Sequence, residues 1–138
     1  MTRFLLSLLL FAALSAPALA LDGPGVVVET LAKGGASWDG SPLPAYPEGQ
    51  PQLTILRIRI PPGTTLPLHK HPVINAGVLT SGTLTVVTEK NDTLRLKAGD
   101  SIIEVVDKWH YGKNDGAETA EIIVFYVGSA DQPLTVKQ

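Results

Sequence analysis

The sequence predicts an all-β domain, a sandwich or barrel of short strands. No helical periodicity of useful length follows residue 21. Instead, short runs of alternating apolar and polar residues succeed one another between Gly, Pro, Asn and Asp clusters. The size agrees: 138 residues less an amino-terminal leader of 20 leave 118, enough for one domain around one core without a disulfide staple.

The first twenty residues stand outside that fold. Arg3 is a positive amino-terminal charge, Phe4 to Leu14 is an apolar run, and Ala18-Leu19-Ala20 is a small-x-small cleavage site. An apolar run of eleven residues, Ser7 among them, is too short for a membrane span of about twenty. The pattern is that of a signal peptide over residues 1–20, which makes residues 21–138 an exported domain, periplasmic or secreted. There is no twin arginine, and no cysteine for a lipid anchor or a disulfide.

Each element then has its own signal. Val26 to Thr30 is the first strand candidate. Trp38 to Gln52 is rich in Gly, Pro and Ser and reads as an irregular arm. Leu53 to Ile60 is clearer: Leu56, Ile58 and Ile60 share one face and Arg57 and Arg59 the other, so one face is buried and one is wet. Pro61-Pro62-Gly63 ends it. His69 to Thr80 is the next extended stretch, closing at Ser81-Gly82. Thr83 to Glu89 and Thr93 to Leu96 form a hairpin joined near Asn91-Asp92. After the turn at Ala98-Gly99-Asp100 come strands over Ser101 to Val106 and Ala120 to Val127.

Charge excludes some partners. The 11 Lys and Arg less Arg3 leave 10 against 13 Asp and Glu, a balance of −3 without basic runs. That pattern offers no electrostatic footprint for nucleic acid and no polybasic membrane patch.

The chain has three histidines, His69, His71 and His110. Side chains two apart on a strand point to the same face, so His69 and His71 can aim two imidazoles at one point. His110, at the end of another strand-like run, can complete the set. Imidazole is the commonest protein ligand for Zn, Cu, Fe and Ni, and the trio reads as one metal site. Lys70, between two of them, points to the opposite face and into solvent. Trp38, Tyr46, Trp109 and Tyr111 suit core packing or the mouth of a barrel. Glu104 and Asp107 are the nearest carboxylates, and the sequence alone assigns no catalytic residue.

At these positions the chain resembles the cupin superfamily. Its first motif, G-x5-H-x-H-x3–4-E-x6-G, is matched by Gly63, His69, His71, Asn75 and Gly82, with Asn in place of the acidic residue. The second, G-x5-P-x-G-x2-H-x3-N, is matched by Gly99, Val105, Asp107, His110 and Asn114, with Val for Pro and Asp for Gly. The resemblance implies a single-domain cupin β-barrel, the jelly-roll or double-stranded β-helix, over residues 21–138, and a homodimer. A turn glycine signals a positive φ, which Asp107 tolerates better than most residues. Asn114 reads as a turn residue.

The resemblance also implies a divalent ion on His69, His71 and His110, with Asn75 as a hydrogen-bonding neighbour rather than a ligand. Three neutral imidazoles would leave the ion its full charge and an open position, which suits activation of a bound anion, water or dioxygen. Some cupins with three histidines resemble thiol dioxygenases and diketone-cleaving dioxygenases. Loading outside the cell favours Zn, Cu or Ni over Fe or Mn. Two function classes stay open. One is an enzyme, a metal-dependent oxygenase or isomerase acting on a small oxygen- or sulfur-bearing molecule. The other is a non-catalytic metal or small-molecule binding module. An enzyme calls for a pocket of roughly 300 Å³ or more, with a titratable group in reach of the ion.

Overall fold

The computed structural model describes residues 24–138. The expected signal peptide, residues 1–20, lies outside the described residues. Residues 24–30 fall in one unit and Leu31–Gln138 in another. In the first, a turn at Pro24 and Gly25 leads into a stretch with no ladder. The strand expected over Val26 to Thr30 is therefore not formed. Its residues have strand composition, but strand stability comes from cross-strand partners, and this run has none among the described residues.

Leu31–Gln138 carries nine strands and, among the described residues, no helix. They are β1 Pro51–Ile60, β2 His69–Lys70, β3 Ile74–Ser81, β4 Thr83–Thr88, β5 Thr93–Lys97, β6 Ser101–Ile103, β7 His110–Lys113, β8 Ala120–Ser129 and β9 Val136–Lys137. Two antiparallel sheets result, in the orders β1-β8-β3-β6 and β5-β4-β7-β2-β9. This is the sandwich of short strands that the alternation predicted, in the jelly-roll arrangement that the resemblance implied.

The core draws on both sheets. Ile60, Leu79, Ile102, Ile122 and Val124 from the first pack with Leu84, Val86 and Leu96 from the second. Burying each such side chain contributes about 1.5–3 kcal/mol. In β1 the alternation holds toward its end: Ile58 and Ile60 point inward, Leu56 borders the cavity but is 37% exposed, and Arg57 and Arg59 reach Glu121 on the outer face.

The extended stretch expected over His69 to Thr80 is broken into β2 and β3 by a bend at Pro72 and Val73. Proline has no N–H to give a ladder, and here the chain passes from one sheet to the other. Likewise β6 stops at Ile103 rather than Val106. His110 opens strand β7 instead of ending one. The hairpin of β4 and β5 forms as expected, with Asn91 at φ 67° in its turn. Gly82, between β3 and β4, has φ +71°, and a Cβ there would meet the Ala120 Cα at 2.9 Å. Only glycine suits that position.

Candidate metal centre

His69 on β2 and His110 on β7 are direct register partners. Opposed residues of an antiparallel pair project from the same face. His71 follows His69 by two residues and joins them on that side. One ring nitrogen from each of the three lies within 4.8 Å of the others, a group that could hold a metal ion. The ring centroids are 4.5 to 5.1 Å apart.

Backbone carbonyls set the tautomers. Nδ1 of His69 donates to the Pro67 carbonyl at 2.7 Å, Nδ1 of His71 to that of Leu134 at 2.8 Å, and Nδ1 of His110 to that of Lys108 at 2.8 Å. A carbonyl oxygen only accepts, so each Nδ1 carries a proton, and it is Nε2 that offers the lone pair in the neutral ring. Thr135 Oγ1 also lies 3.2 Å from His71 Nδ1. Burial lowers the pKa of His71 from 6.5 to about 4, with the neighbouring imidazoles adding to the effect. Burial lowers His69 too. Both rings are neutral at neutral pH.

The residues fit a cation. His110 is 2% exposed, and its Nε2 has no hydrogen-bond partner among the described residues. An unpaired buried acceptor costs about 1–3 kcal/mol. A positive ion facing three imidazole lone pairs removes that cost, and bonding of the distal nitrogens to carbonyls is the usual support of metal-bound histidine.

Local structure explains the placement. Asp107 has φ 54°, the left-handed turn expected of a residue replacing glycine. Its N–H donates to the His71 carbonyl at 2.8 Å, tying the approach to β7 against the His71 segment. Lys70 points away, paired with Asp107 at 3.2 Å and lying over the Trp109 ring. Asn114 is fully buried and bonds the Ile60 and Glu118 carbonyls and the Gly116 amide, a structural turn role.

The imidazoles open onto a cavity of about 170 Å³ between the sheets. Its apolar walls include Ile58 and Ile60 from β1, Leu84 and Val86 from β4, and Ile122 and Val124 from β8. This is smaller than the roughly 300 Å³ expected of an enzyme pocket. Asn75, 3% exposed, lines it and donates from Nδ2 to the Val73 carbonyl at 3.3 Å. None of Trp38, Tyr46, Trp109 or Tyr111 lines it. Tyr46 is exposed, and Trp38 packs on the core and donates from Nε1 to Glu104.

Two contributors escaped the sequence reading. Tyr126 is buried against His71, ring to ring at 5.5 Å, and burial together with the Glu104 charge pushes its pKa up to about 12. Its signal was the inward alternation Ile122, Val124, Tyr126 along β8. The second is the segment before β9, which supplies the Leu134 carbonyl and Thr135 to His71. A two-residue strand leaves no periodic trace.

The model of the cupin domain family matches residues 56–126, just over half of the chain. The chain belongs to the cupin family. Solved cupin structures are similar in fold. An oxalate oxidase in complex with the substrate analogue glycolate gives a TM-score of 0.53 at 24% identity, over 62% of this chain and 45% of that one. The DMSP lyase DddQ of Ruegeria pomeroyi gives 0.56 at 19%, over 72% and 47%. The oxalate decarboxylase of Lactobacillus farciminis, as its formate complex, gives 0.53 at 20%, over 62% and 26%. This cupin thus spans less than half the length of each of these proteins. No curated protein sequence matches it. At such identities the likeness is one of fold, and cupin chemistry is set by the site.

Proposed function

We propose that this cupin holds one divalent transition-metal ion on His69, His71 and His110 and acts on a small oxygen- or sulfur-bearing molecule. One observation carries the reading: three imidazoles, each with Nδ1 tied to a carbonyl, present their free nitrogens to one apolar cavity. A bound divalent ion supplies Lewis acidity and an open position for a substrate oxygen or sulfur. The chain's own residues do the rest. The apolar walls limit water, and the cavity of about 170 Å³ restricts the substrate to a few heavy atoms. Tyr126 keeps its hydroxyl proton at any physiological pH and can donate it in a hydrogen bond to a substrate oxygen. Asn75 sits beside the imidazoles as a neutral hydrogen-bonding group.

The ion is Zn, Cu or Ni in preference to Fe or Mn if the chain is loaded outside the cell. Export rests on the leader sequence. A homodimer accords with the apolar side chains left in water on β1 and β8, Leu53, Ile55 and Phe125.

The test has two stages. Elemental analysis of protein from its native compartment identifies the ion, with one equivalent expected. Loaded protein is then offered small carboxylates such as glycolate, thiols and diketones, with product formation followed by mass spectrometry. Turnover establishes the enzyme. The small cavity also suits a non-catalytic binding module, and saturable binding without product would assign that role. Protein that takes up no divalent ion defeats both readings.

A further inference from the structure

We propose that Glu104, the residue just after β6, is the anionic ligand of the metal centre, in place of the carboxylate that Asn75 on β3 lacks. The proposal rests on the metal-binding reading above. The two positions face each other across the sheet. Strands β3 and β6 pair Ala76 with Ile103 and Gly77 with Ile102. One step further the register sets Asn75 against Glu104, and the Glu104 N–H donates to the Asn75 carbonyl at 3.0 Å. Opposed residues share a face, with Cβ atoms about 4.5–5.5 Å apart. Both line the cavity that the three histidines face. A carboxylate has moved by one strand, not out of the site.

The two oxygens of Glu104 are treated differently. Oε1 accepts from Trp38 Nε1 and from the Val105 N–H, both at 2.9 Å. The Ser37 hydroxyl donates to the Glu104 carbonyl at 2.9 Å, so the arm carrying Ser37 and Trp38 holds the residue at both ends. Oε2 has no hydrogen bond among the described residues and lies 3.8 Å from the unpartnered His110 Nε2. That is too long for a hydrogen bond. Two lone-pair atoms thus face each other in a buried setting, with Glu104 only 8% exposed.

A buried carboxylate with one idle oxygen is costly unless a cation compensates it. Donors each about 2.1 Å from one ion lie at most about 4.2 Å apart. The Oε2–Nε2 separation is within that limit at His110. Glu104 stands outside the group of donors that lie within 4.8 Å of one another, so its carboxylate must swing from the His110 corner toward His69 and His71 to share their ion. Coordination through Oε2 would satisfy both atoms at once. It would also offset one of the ion's charges, which three neutral imidazoles leave untouched.

Cobalt(II) is the probe, read by its ligand-field absorption and by chelator competition on the full chain. In Glu104→Gln the amide oxygen can keep the Trp38 and Val105 bonds while the amide nitrogen faces His110, where it cannot ligate. The expected result is an affinity for cobalt lowered about 10- to 100-fold, with shifted absorption bands. The double variant Glu104→Gln, Asn75→Glu returns a carboxylate to the facing position and is expected to recover most of that loss. The thermal midpoints of the metal-free variants check that each has folded. Unchanged bands in Glu104→Gln overturn the proposal, whether or not affinity falls. A double variant as weak as the single one overturns the exchange of positions. Wild-type protein that binds no cobalt defeats the metal reading itself, a separate outcome.

Discussion

His69 and His110 are partners in one rung of the sheet, and their rings stand 4.5 Å apart at the face that looks into the cavity. The rung belongs to the backbone ladder of β2 and β7, so the geometry of the two imidazoles is fixed by main-chain pairing. His71 is bound separately, by the carbonyl that precedes β9. Two independent backbone contacts therefore bring three donors together before any ion arrives.

Such preorganisation makes metal binding a stability measurement. An ion that binds only the folded state stabilises it by RT ln(1 + [L]/Kd), about 2.7 kcal/mol at a hundredfold excess over Kd. Stripped wild-type protein should show a rise of several degrees in thermal midpoint with Zn, Cu or Ni. His69→Ala, His71→Ala and His110→Ala should each lower affinity by about 100-fold or more, beyond the usual effect of losing a supporting group. Differential scanning fluorimetry across a metal titration decides it. Equal midpoint rises in wild type and all three variants would place the ion elsewhere.

A pH dependence follows from the same burial. The pKa of His71 is depressed from 6.5 to about 4, and that of His69 moves the same way. Between those values the unfolded chain binds protons on these rings and the folded chain does not. Stability therefore rises with pH across the window, is fully present above about 6.5, and is lost as pH falls toward about 4. Metal-free protein should show a thermal midpoint that declines from pH 7 to pH 4 and a shallower slope in His71→Gln. Metal occupancy should hold across that window and fall as pH passes below about 4, where the folded His71 ring itself takes up a proton and can no longer ligate. An ion fully retained well below pH 4 would count against a centre built on these imidazoles.

How much of this was legible in the sequence follows from where each signal lies. The longer strands β1, β3, β4, β5 and β8 announce themselves by alternation and turn chemistry, and Ile58 and Ile60 face inward as their spacing requires, whereas β7 and β9 carry no such signal. The histidines are found by type and spacing. Their real arrangement depends on a bend at Pro72 and on a rung between residues 41 apart, which local pattern does not encode. Glu104 was visible as a carboxylate near the second motif, but its direction is set by Trp38, 66 residues away. Tyr126 and Thr135 enter the site only through long-range packing. Val26 to Thr30 shows the converse: strand-like composition without a partner yields no strand.

Asp107 gives a test of the turn that delivers His110. Its φ of 54° costs an ordinary side chain about 1–2 kcal/mol, which glycine avoids. Asp107→Gly should leave the thermal midpoint within a few degrees, the relief of strain offsetting the lost pairing with Lys70. Asp107→Val, branched at Cβ, should destabilise by about 2 kcal/mol and weaken metal binding as well. The second effect arises because the Lys108 carbonyl that orients His110 follows directly on this turn. Urea denaturation and metal titration on the pair separate the two effects. A valine variant as stable as the glycine one would mean that the turn is not held in this conformation.

Asn114 tests the scaffold apart from the centre. It is wholly buried, it does not line the cavity, and it joins the end of β1 to the loop before β8. Its Nδ2 donates to the Ile60 carbonyl at 2.8 Å and the Glu118 carbonyl at 2.7 Å, and its Oδ1 accepts from the Gly116 N–H at 2.9 Å. Asn114→Ala strands two acceptors and a donor at about 1–3 kcal/mol each, so the expected loss is about 3 kcal/mol or more in urea denaturation. Asn114→Asp should do at least as badly, because it turns a carboxylate oxygen toward two carbonyls that need a donor. Protein that remains folded in either variant should bind metal with unchanged affinity, since the imidazoles take their support from Pro67, Lys108 and Leu134. A loss below 1 kcal/mol would show that the loop can satisfy these groups without Asn114.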